Sequence, residues 1–349
     1  MSKSRLGAVV RNASALLALC GAVLMVAAGC GKSSGGSSAP ALWVPNEAGA
    51  TIAGFGESQL ASSGTPSQVT MNSSGNLSAP WSVAFDKSGD MWVSNFTGTN
   101  ANTLAEYTPG QLASLQASPS PAANVVISGL IGPSGLAVDR SDNLWVAEWS
   151  NNELVEYTPG QLSVSGSPTP AIAITSTSLL NPSAIHFDAA GNLWVADTGA
   201  NTVLKFTASQ LSTSGARTPK LTLATTTIHA DYGIAFDSSE NLWVANLNSN
   251  TVQEFAASSL TSGKITPAAS VTLRATSIST STGTASSLNQ PFGLAFEKSG
   301  ALWVANFRGN SLAKFNPKQL GATGAPVPAV YIGTALNSLV GPALITFGP

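Results

Sequence analysis

A tryptophan-centred motif recurs five times in this chain, at intervals of about 50 residues, a period typical of repeat architectures. Each copy joins a short apolar segment to Leu-Trp-Val-Ala or a close variant of it. The five copies are APWSVAFDKSGDMWVSNF (79–96), GPSGLAVDRSDNLWVAEW (132–149), NPSAIHFDAAGNLWVADT (181–198), ADYGIAFDSSENLWVANL (230–247) and QPFGLAFEKSGALWVANF (290–307). Such a chain is expected to fold as an array of similar units.

One repeat predicts four antiparallel strands. GLAVD (135–139) alternates large and small side chains, as a strand with two differently crowded faces does. DRSDN then forms a tight turn with Gly, Asn or Asp where a positive φ is required, and LWVAE is the second strand. NELVEYT (152–158) supplies the third strand, and a proline precedes the fourth, in TPAIAIT (169–175).

A four-stranded unit cannot bury both of its faces alone, but blades stacked around an axis cover one another, as in a β-propeller. The two chain ends support a closed ring. Residues 41–71 match the second to fourth strands of a unit, and GPALITFGP (341–349) matches the missing first strand. The sequence therefore predicts an all-β, six-bladed β-propeller over 41–349, closed by strand pairing between 341–349 and 41–71, which leaves no open sheet edge.

The repeat P-x-G-[LI]-A-[FV]-D-x-x-x-N-L-W-V-A, followed by N-x-[VL]-x-x-[FY], resembles NHL-type and streptogramin-lyase-like propeller repeats. It is broadly similar to six-bladed families that include the lactonase-like SMP-30 proteins. The resemblance covers residues 41–349 and implies the fold. Lyase relatives use His and Glu with a bound metal, and their motif has no residue-by-residue match here. Lactonase-like relatives hold a divalent ion with Glu, Asn and Asp, which implies a possible Ca²⁺ or Mg²⁺ in the channel.

Residues 1–29 are predicted to be a lipoprotein signal peptide. A basic start precedes an apolar run, 13–28, which is short for a membrane span and suited to a secretory signal. It ends in VAAGC, which resembles a bacterial lipobox with Cys30 as the lipidated residue; the alternative is an ordinary signal peptide cleaved nearby. Residues 30–40 read as a flexible tether. We expect an exported protein, lipid-anchored at the cell envelope (the outer membrane where there is one), with its domain in the periplasm or at the cell surface.

The composition limits the possible partners. The net charge is −2 and the domain has no basic stripe, which argues against nucleic acid. Both cysteines, Cys20 and Cys30, lie in the leader region, so the domain is expected to fold without a disulfide. We expect a monomer that touches the membrane through its lipid alone.

The residue three positions after each motif tryptophan is an amide or a carboxylate. On the expected topology these six residues lie at the rim where second strands end and first strands begin, here called the upper rim. One interpretation is a ring of Ca²⁺ or Mg²⁺ ligands or a polar-ligand site. The other, which the sixfold repetition favours, is that each side chain binds backbone groups of its own turn. The six residues are Asn46, Asn95, Glu148, Asp197, Asn246 and Asn306.

Departures from the repeat are the more specific candidates. His186 replaces alanine in an inner strand, and either faces the channel or packs in the core. A polar and aromatic mouth is predicted at the upper rim, against the alternative of scattered residues with no joint role. A Ser/Thr-rich insertion at 275–290 falls on the same rim. It either covers the mouth or is a low-complexity loop with no role there. The predicted mouth residues are His229, Asp231, Tyr232, Trp81, Glu148, Trp149 and Phe292.

Catalytic motifs are scarce. Two histidines exclude a His-based zinc cluster, and neither a Gly-x-Ser-x-Gly elbow nor a phosphate-binding glycine loop is present. Two functions remain. The first, which we favour, is a binding or scaffold module that presents its rim to an envelope protein, glycan or peptide. The second is a metal-dependent lactonase-like or lyase-like enzyme that uses the central channel.

Overall fold

The computed structural model describes residues 41–64, 69–72, 75–98, 101–229, 231–280, 283–333 and 339–349. These residues form a six-bladed β-propeller, which confirms the predicted fold class. The predicted signal peptide, the tether and Cys30 lie outside the described residues. No helix among the residues described is long and apolar enough to cross a membrane.

The blades are numbered from the one that holds both chain ends, and strands are numbered along the chain. Blades 1 to 3 contain β1 (Leu42–Asn46), β2 (Thr51–Phe55) and β3 (Val69–Met71); β4 (Pro80–Phe85), β5 (Met91–Asn95), β6 (Thr103–Tyr107) and β7 (Val125–Ile127); and β8 (Pro133–Val138), β9 (Leu144–Glu148), β10 (Glu153–Tyr157) and β11 (Ile172–Thr175). Short helices α1 (Glu57–Leu60) and α2 (Pro109–Ala113) follow the third strands of blades 1 and 2.

Blades 4 to 6 repeat this plan. They contain β12 (Pro182–Phe187), β13 (Leu193–Asp197), β14 (Thr202–Phe206), β15 (Gly215–Ala216) and β16 (Leu221–Leu223); β17 (Asp231–Phe236), β18 (Leu242–Asn246), β19 (Thr251–Phe255), β20 (Gly263–Ile265) and β21 (Val271–Arg274); and β24 (Pro291–Phe296), β25 (Leu302–Asn306), β26 (Ser311–Phe315) and β27 (Val330–Ile332). Strands β15 and β20 each pair in parallel with the outer strand of the preceding blade. Within the insertion at 275–290, β22 (Ser277–Thr280) and β23 (Gly283–Ser286) pair as antiparallel strands.

Blade 1 is completed by β28 (Thr346–Phe347) at the end of the chain. Leu42 pairs with Phe347 and Trp43 with Thr346, and a bridge joins Asn46 to Pro342. The order of this sheet is β28-β1-β2-β3. The predicted closure of the ring by the two chain ends is therefore confirmed.

The Asp-to-Trp spacing of the motif has a local cause. In blade 4, Asp188 accepts the backbone N–H groups of Ala190 and Asn192 through Oδ1, and its Oδ2 accepts the indole N–H of Trp194 at 2.9 Å. The turn and the second strand are thus tied together by one carboxylate. A residue with positive φ closes this turn in blades 2 to 6, at Gly89, Asp142, Gly191, Glu240 and Gly300.

The motif asparagine before each third strand joins neighbouring blades. In blades 2, 3, 5 and 6 it adopts a positive φ, and its Oδ1 accepts a backbone N–H from the next blade. The left-handed conformation is tolerated by asparagine, and the amide oxygen can reach across the gap. These residues are Asn102, Asn152, Asn250 and Asn310.

Inner strands pack closely around the axis, and glycine permits this in three blades. A Cβ at Gly135 would clash with the carbonyl oxygen of Ser183 in the next inner strand. We expect Gly135→Ala to lower the free energy of unfolding by about 2 kcal/mol, the usual cost of overpacking. Chemical denaturation measures it. Gly160→Ala is the control, because its Cβ would meet nothing within 4 Å; an equal loss in both variants would contradict the packing argument.

Candidate functional site

The upper mouth of the axial channel is filled by aromatic side chains. Three of them come from the second position of an inner strand, Trp81, Tyr232 and Phe292, and three from the residue after a second strand. Together they form one contact network, here called the aromatic plug: Trp81, Phe96, Trp149, Tyr232, Phe292 and Phe307.

Trp81 lies at the centre of the plug. Its ring centroid is 4.5 Å from Phe96, 5.2 Å from Phe292 and 5.8 Å from Trp149. Trp149 stacks on Tyr232 at an interplanar angle of 9°, and Tyr232 stacks on Phe292 at 4.4 Å. Trp81 and Phe292 are buried, whereas the other four rings are half-buried. The plug therefore closes the channel and leaves part of its aromatic surface at the upper rim.

Small residues in three blades make room for the plug. The positions equivalent to Trp81 are Ala343, Ser134 and Ser183 in blades 1, 3 and 4, and all three are fully buried. Ser134 donates its hydroxyl to the carbonyl of Pro182 at 2.8 Å, and Ser183 donates to that of Tyr232 at 2.9 Å. Each serine thereby links two inner strands without projecting a ring into the channel.

One donor in the plug has no acceptor. The indole Nε1 of Trp81 is buried and makes no hydrogen bond to any residue that the structure describes. The motif tryptophans of blades 2 to 6 donate their indole N–H to the carboxylate of their turn. Trp81 is a different tryptophan, in an inner strand, and has no such carboxylate among the described residues. A buried N–H without an acceptor is uncommon and marks a position where an acceptor would be favourable.

Below the plug the channel is a cavity of about 250 Å³, lined mostly by aliphatic and phenylalanine side chains of the inner strands. His186 lies on its wall, 5.5 Å from Phe236, with Nδ1 2.8 Å from the carbonyl oxygen of Phe187. Its ring has accessible surface, but that surface faces the channel cavity, and protein surrounds the ring on all sides. That desolvation lowers the His186 pKa, against the opposing effects of the Phe187 carbonyl, Glu240 and Asp188.

The channel lining does not fit a hard divalent cation. Besides His186, its polar side chains are those of Ser82 and Thr346, and no carboxylate of the described residues lines it. Ca²⁺ and Mg²⁺ require several oxygen ligands, usually including carboxylates. Within the described ranges, no three His, Cys, Asp or Glu side chains are grouped so that they could hold a metal ion.

The six rim residues are buried within their own blades, each at most 4% exposed. Their oxygens accept backbone N–H groups from the segment entering the first strand: Asn95 from Ser78 at 2.9 Å, for example, and Glu148 from Ile131 at 3.0 Å. Burial raises the pKa of Glu148, although the bonds from Ile131 and Asn151 act in the opposite direction. Burial also raises the pKa of Asp197, to about 7.

The predicted mouth residues have different surroundings. The structure brings Trp81, Trp149, Tyr232 and Phe292 together in the plug. His229 is exposed, and its backbone N–H donates to Asn246 Oδ1 at 3.3 Å. Asp231 begins β17 and pairs with Asn246. Two plug residues were not predicted, Phe96 and Phe307. The sequence did carry an indication of them, because an aromatic residue follows the second strand in three repeats, at Phe96, Trp149 and Phe307.

No protein-family model and no curated protein matches the sequence. Solved structures match it in fold. Virginiamycin B lyase from Staphylococcus aureus is 15% identical, with 81% of this chain and 80% of that chain covered and a TM-score of 0.51. A protein of unknown function from Bacteroides caccae is 12% identical, with 89% of this chain and 99% of that chain covered and a TM-score of 0.61. A chain of the nidogen/laminin complex is 12% identical, with 88% of this chain and 98% of that chain covered and a TM-score of 0.60. The chain thus shares the six-bladed propeller fold of streptogramin-lyase and nidogen-type proteins.

Proposed function

We propose that this protein is an exported, lipid-anchored binding module of the cell envelope, and that its ligand docks on the aromatic plug at the upper rim. The observation that carries the proposal is the plug itself. Six rings from four blades converge where a propeller usually has an open mouth, and four of them are half-buried. Rings that serve only as core would be expected to be covered, as the motif tryptophans are. The proposed export and lipid anchoring rest on the sequence of residues 1–30 alone.

The chemistry of the plug favours a neutral ligand with flat apolar faces. Half-buried rings such as Trp149 and Tyr232 can stack on such a face, and aromatic side chains with few polar groups are typical of ligand pockets. Sugar rings combine an apolar C–H face with many oxygen acceptors. We therefore place a neutral glycan first among the three envelope partners, ahead of a peptide or a protein.

The plug offers a direct test with an oligosaccharide of N-acetylglucosamine as the probe. We expect binding that quenches tryptophan fluorescence, and we expect Trp149→Ala to weaken it by about ten-fold, since loss of one stacked ring costs roughly 1–1.5 kcal/mol. Trp149→Phe should retain most of the affinity. Val164→Ala is the control, because Val164 is 68% exposed in a loop at the opposite rim.

Two results would count against this function. One is the absence of any Trp149-dependent binding across neutral oligosaccharides, which would leave a peptide or protein partner to be tested on the same variants. The other is a clear rise in melting temperature with Ca²⁺, Mg²⁺, Mn²⁺ or Zn²⁺, because a ligand specific to the folded state raises stability. The second result would favour the enzyme. Virginiamycin B lyase shares the fold, but at 15% identity its activity does not transfer.

A further inference from the structure

The lower rim, opposite the plug, carries a second repeated arrangement of side chains. In blades 2 to 6 the acid of the turn between the first and second strands accepts the indole N–H of the motif tryptophan. A third residue lies directly across from this tryptophan on the third strand. The five triplets are Asp86, Trp92 and Glu106; Asp139, Trp145 and Glu156; Asp188, Trp194 and Lys205; Asp237, Trp243 and Glu254; and Glu297, Trp303 and Lys314.

In blades 4 and 6 the third residue is a lysine, and its ammonium group occupies the space beside the acid and the indole. Lys205 Nζ lies 3.1 Å from Asp188 Oδ2 and 4.7 Å from the centre of the Trp194 ring. Lys314 Nζ lies 2.7 Å from Glu297 Oε1 and 5.6 Å from the Trp303 ring. A carboxylate and an aromatic ring both attract a cation. The turn acid and the tryptophan thus form a receptor for an ammonium group.

Blade 3 has the same acid and the same tryptophan, but a glutamate where the lysine would be. Glu156 is 6% exposed and makes no side-chain hydrogen bond or ion pair with any described residue. Its counterpart in blade 2 differs, because Glu106 accepts a hydrogen bond from Asn124 Nδ2 at 3.0 Å. Burial, and then the nearby Asp139, raise the Glu156 pKa to about 7. A carboxyl group that faces a protein-lined cavity without a protein partner would be stabilised by a cation or a donor that reaches it.

Glu156 lines a cavity of about 530 Å³ between blades 3 and 4, together with Asp139 and Trp145. Two other charged residues reach this cavity. Asp188 is already paired with Lys205, and the Arg140 guanidinium donates to the carbonyl of Ala189. Neither neutralises Glu156. Besides the paired Asp188, the cavity therefore holds two carboxyl groups, those of Glu156 and Asp139, and it has room for a ligand.

We propose that the cavity between blades 3 and 4 binds the ammonium group of a ligand, held by the carboxylates of Glu156 and Asp139 beside the Trp145 indole. The ligand supplies from outside the cation that Lys205 and Lys314 supply within their own blades. An organic ammonium fits better than a divalent metal ion. A divalent ion needs several oxygen ligands, whereas Glu156 is the one carboxylate of this cavity that we find without a partner among the described residues, and the indole attracts an organic cation. The group can belong to a free aliphatic amine or to a lysine side chain of a peptide.

Calorimetric titration of the full chain at pH 8 tests the site. Cadaverine stands for a free aliphatic amine, and a short neutral lysine peptide stands for a lysine side chain, so the two titrations distinguish the two sources of the ammonium group. We expect at least one of the two to bind, and Glu156→Gln to weaken that binding by about ten-fold, the effect of losing one charge-assisted hydrogen bond. Glu254→Gln in blade 5 is the matched control and should change affinity less than about two-fold.

Glu156→Lys gives a second, independent readout. The new side chain should pair with Asp139 as Lys205 pairs with Asp188, so it should abolish amine binding and raise the melting temperature. Three results would overturn the site: amine binding that is equal in Glu156→Gln and the wild type, a lower melting temperature of Glu156→Lys, or Glu156-dependent binding of Ca²⁺ without binding of either amine probe. Failure of the glycan test at the upper rim would leave this site unaffected.

Discussion

The chain that lacks residues 341–349 is expected to lose most of its folding free energy. This segment completes blade 1 by pairing with β1, and its backbone bonds include Ala343 N–H to Pro45 O at 2.9 Å and Gly348 N–H to Ala41 O at 2.8 Å. It also contacts blade 2, where Leu344 N–H donates to Trp81 O at 3.0 Å. Without the segment, the ring would be open between blades 6 and 1, and a sheet edge would be left unpaired.

The size of this effect follows from burial. Ala343, Leu344 and Ile345 are buried. At roughly 1.5–3 kcal/mol for each large aliphatic side chain and about 1 kcal/mol for each backbone hydrogen bond, the segment contributes about 5–10 kcal/mol. A whole domain is stable by only about 5–15 kcal/mol. We therefore expect the deletion to lower the melting temperature by about 10–20 °C or to abolish the cooperative transition.

Calorimetry of graded variants checks the prediction. Ile345→Ala should produce a smaller loss of about 2–4 kcal/mol, because it removes one buried side chain and keeps the strand. Removal of Pro349 alone, an exposed residue, should change little. A melting curve that is unchanged after deletion of 341–349 would show that pairing of the chain ends does not hold the ring closed.

The fold could be predicted because each blade repeats the same local instructions. The turn acid, the glycine or asparagine with positive φ, and the tryptophan are set by interactions within a few residues, and these are visible in the sequence. The insertion at 275–290 was harder. A run of Ser and Thr is compatible with a low-complexity loop and also with strands, because threonine is β-branched. The structure shows two short antiparallel strands within it, β22 and β23.

The candidate sites were only partly predictable. Trp81 and Tyr232 could be placed at the mouth because the segments that enter the first strands lie at the upper rim, and Tyr232 belongs to a stretch that departs from the repeat. Phe96 and Phe307 were missed although Trp149 stands at the equivalent position, because the alternation of side chains does not fix the direction of a residue that follows the end of a strand. The unpaired state of Glu156 could not be inferred at all. It depends on which side chains of blades 3 and 4 come within reach of the carboxyl group. It becomes visible only by comparison with blades 4 and 6, where a paired lysine occupies the same position.

A different consequence of the repeat concerns Asp197, which stands where four other blades have asparagine. In those blades the side-chain Nδ2 donates to a hydroxyl of the third strand, at distances from 3.0 to 3.4 Å: Asn46 to Thr51, Asn95 to Thr103, Asn246 to Thr251 and Asn306 to Ser311. In blade 4, Asp197 Oδ1 accepts from Leu180 N–H at 2.7 Å, but Oδ2 and Thr202 Oγ1 are buried and do not reach hydrogen-bond geometry.

This environment makes blade 4 sensitive to pH. Burial raises the Asp197 pKa from 3.8 to about 7, although the Leu180 N–H and the nearby Thr202 favour the charged form. Because the folded pKa is the higher one, the folded state retains a proton that the unfolded state has lost. The contribution of Asp197 to stability is therefore full below about pH 4 and is lost as the pH rises through 7.

Asp197→Asn is expected to raise the free energy of unfolding at pH 8 by about 3 kcal/mol, since it removes a buried charge and supplies the donor that Thr202 Oγ1 lacks. The gain should shrink as the pH falls towards 4. Denaturation of both proteins at several pH values measures the difference, in which the contributions of other carboxylates cancel. Thr202→Val should cost more in the Asp197→Asn background than in the wild type, as a double-mutant cycle would show. A destabilised variant, or a gain that is equal at pH 4 and pH 8, would contradict the argument.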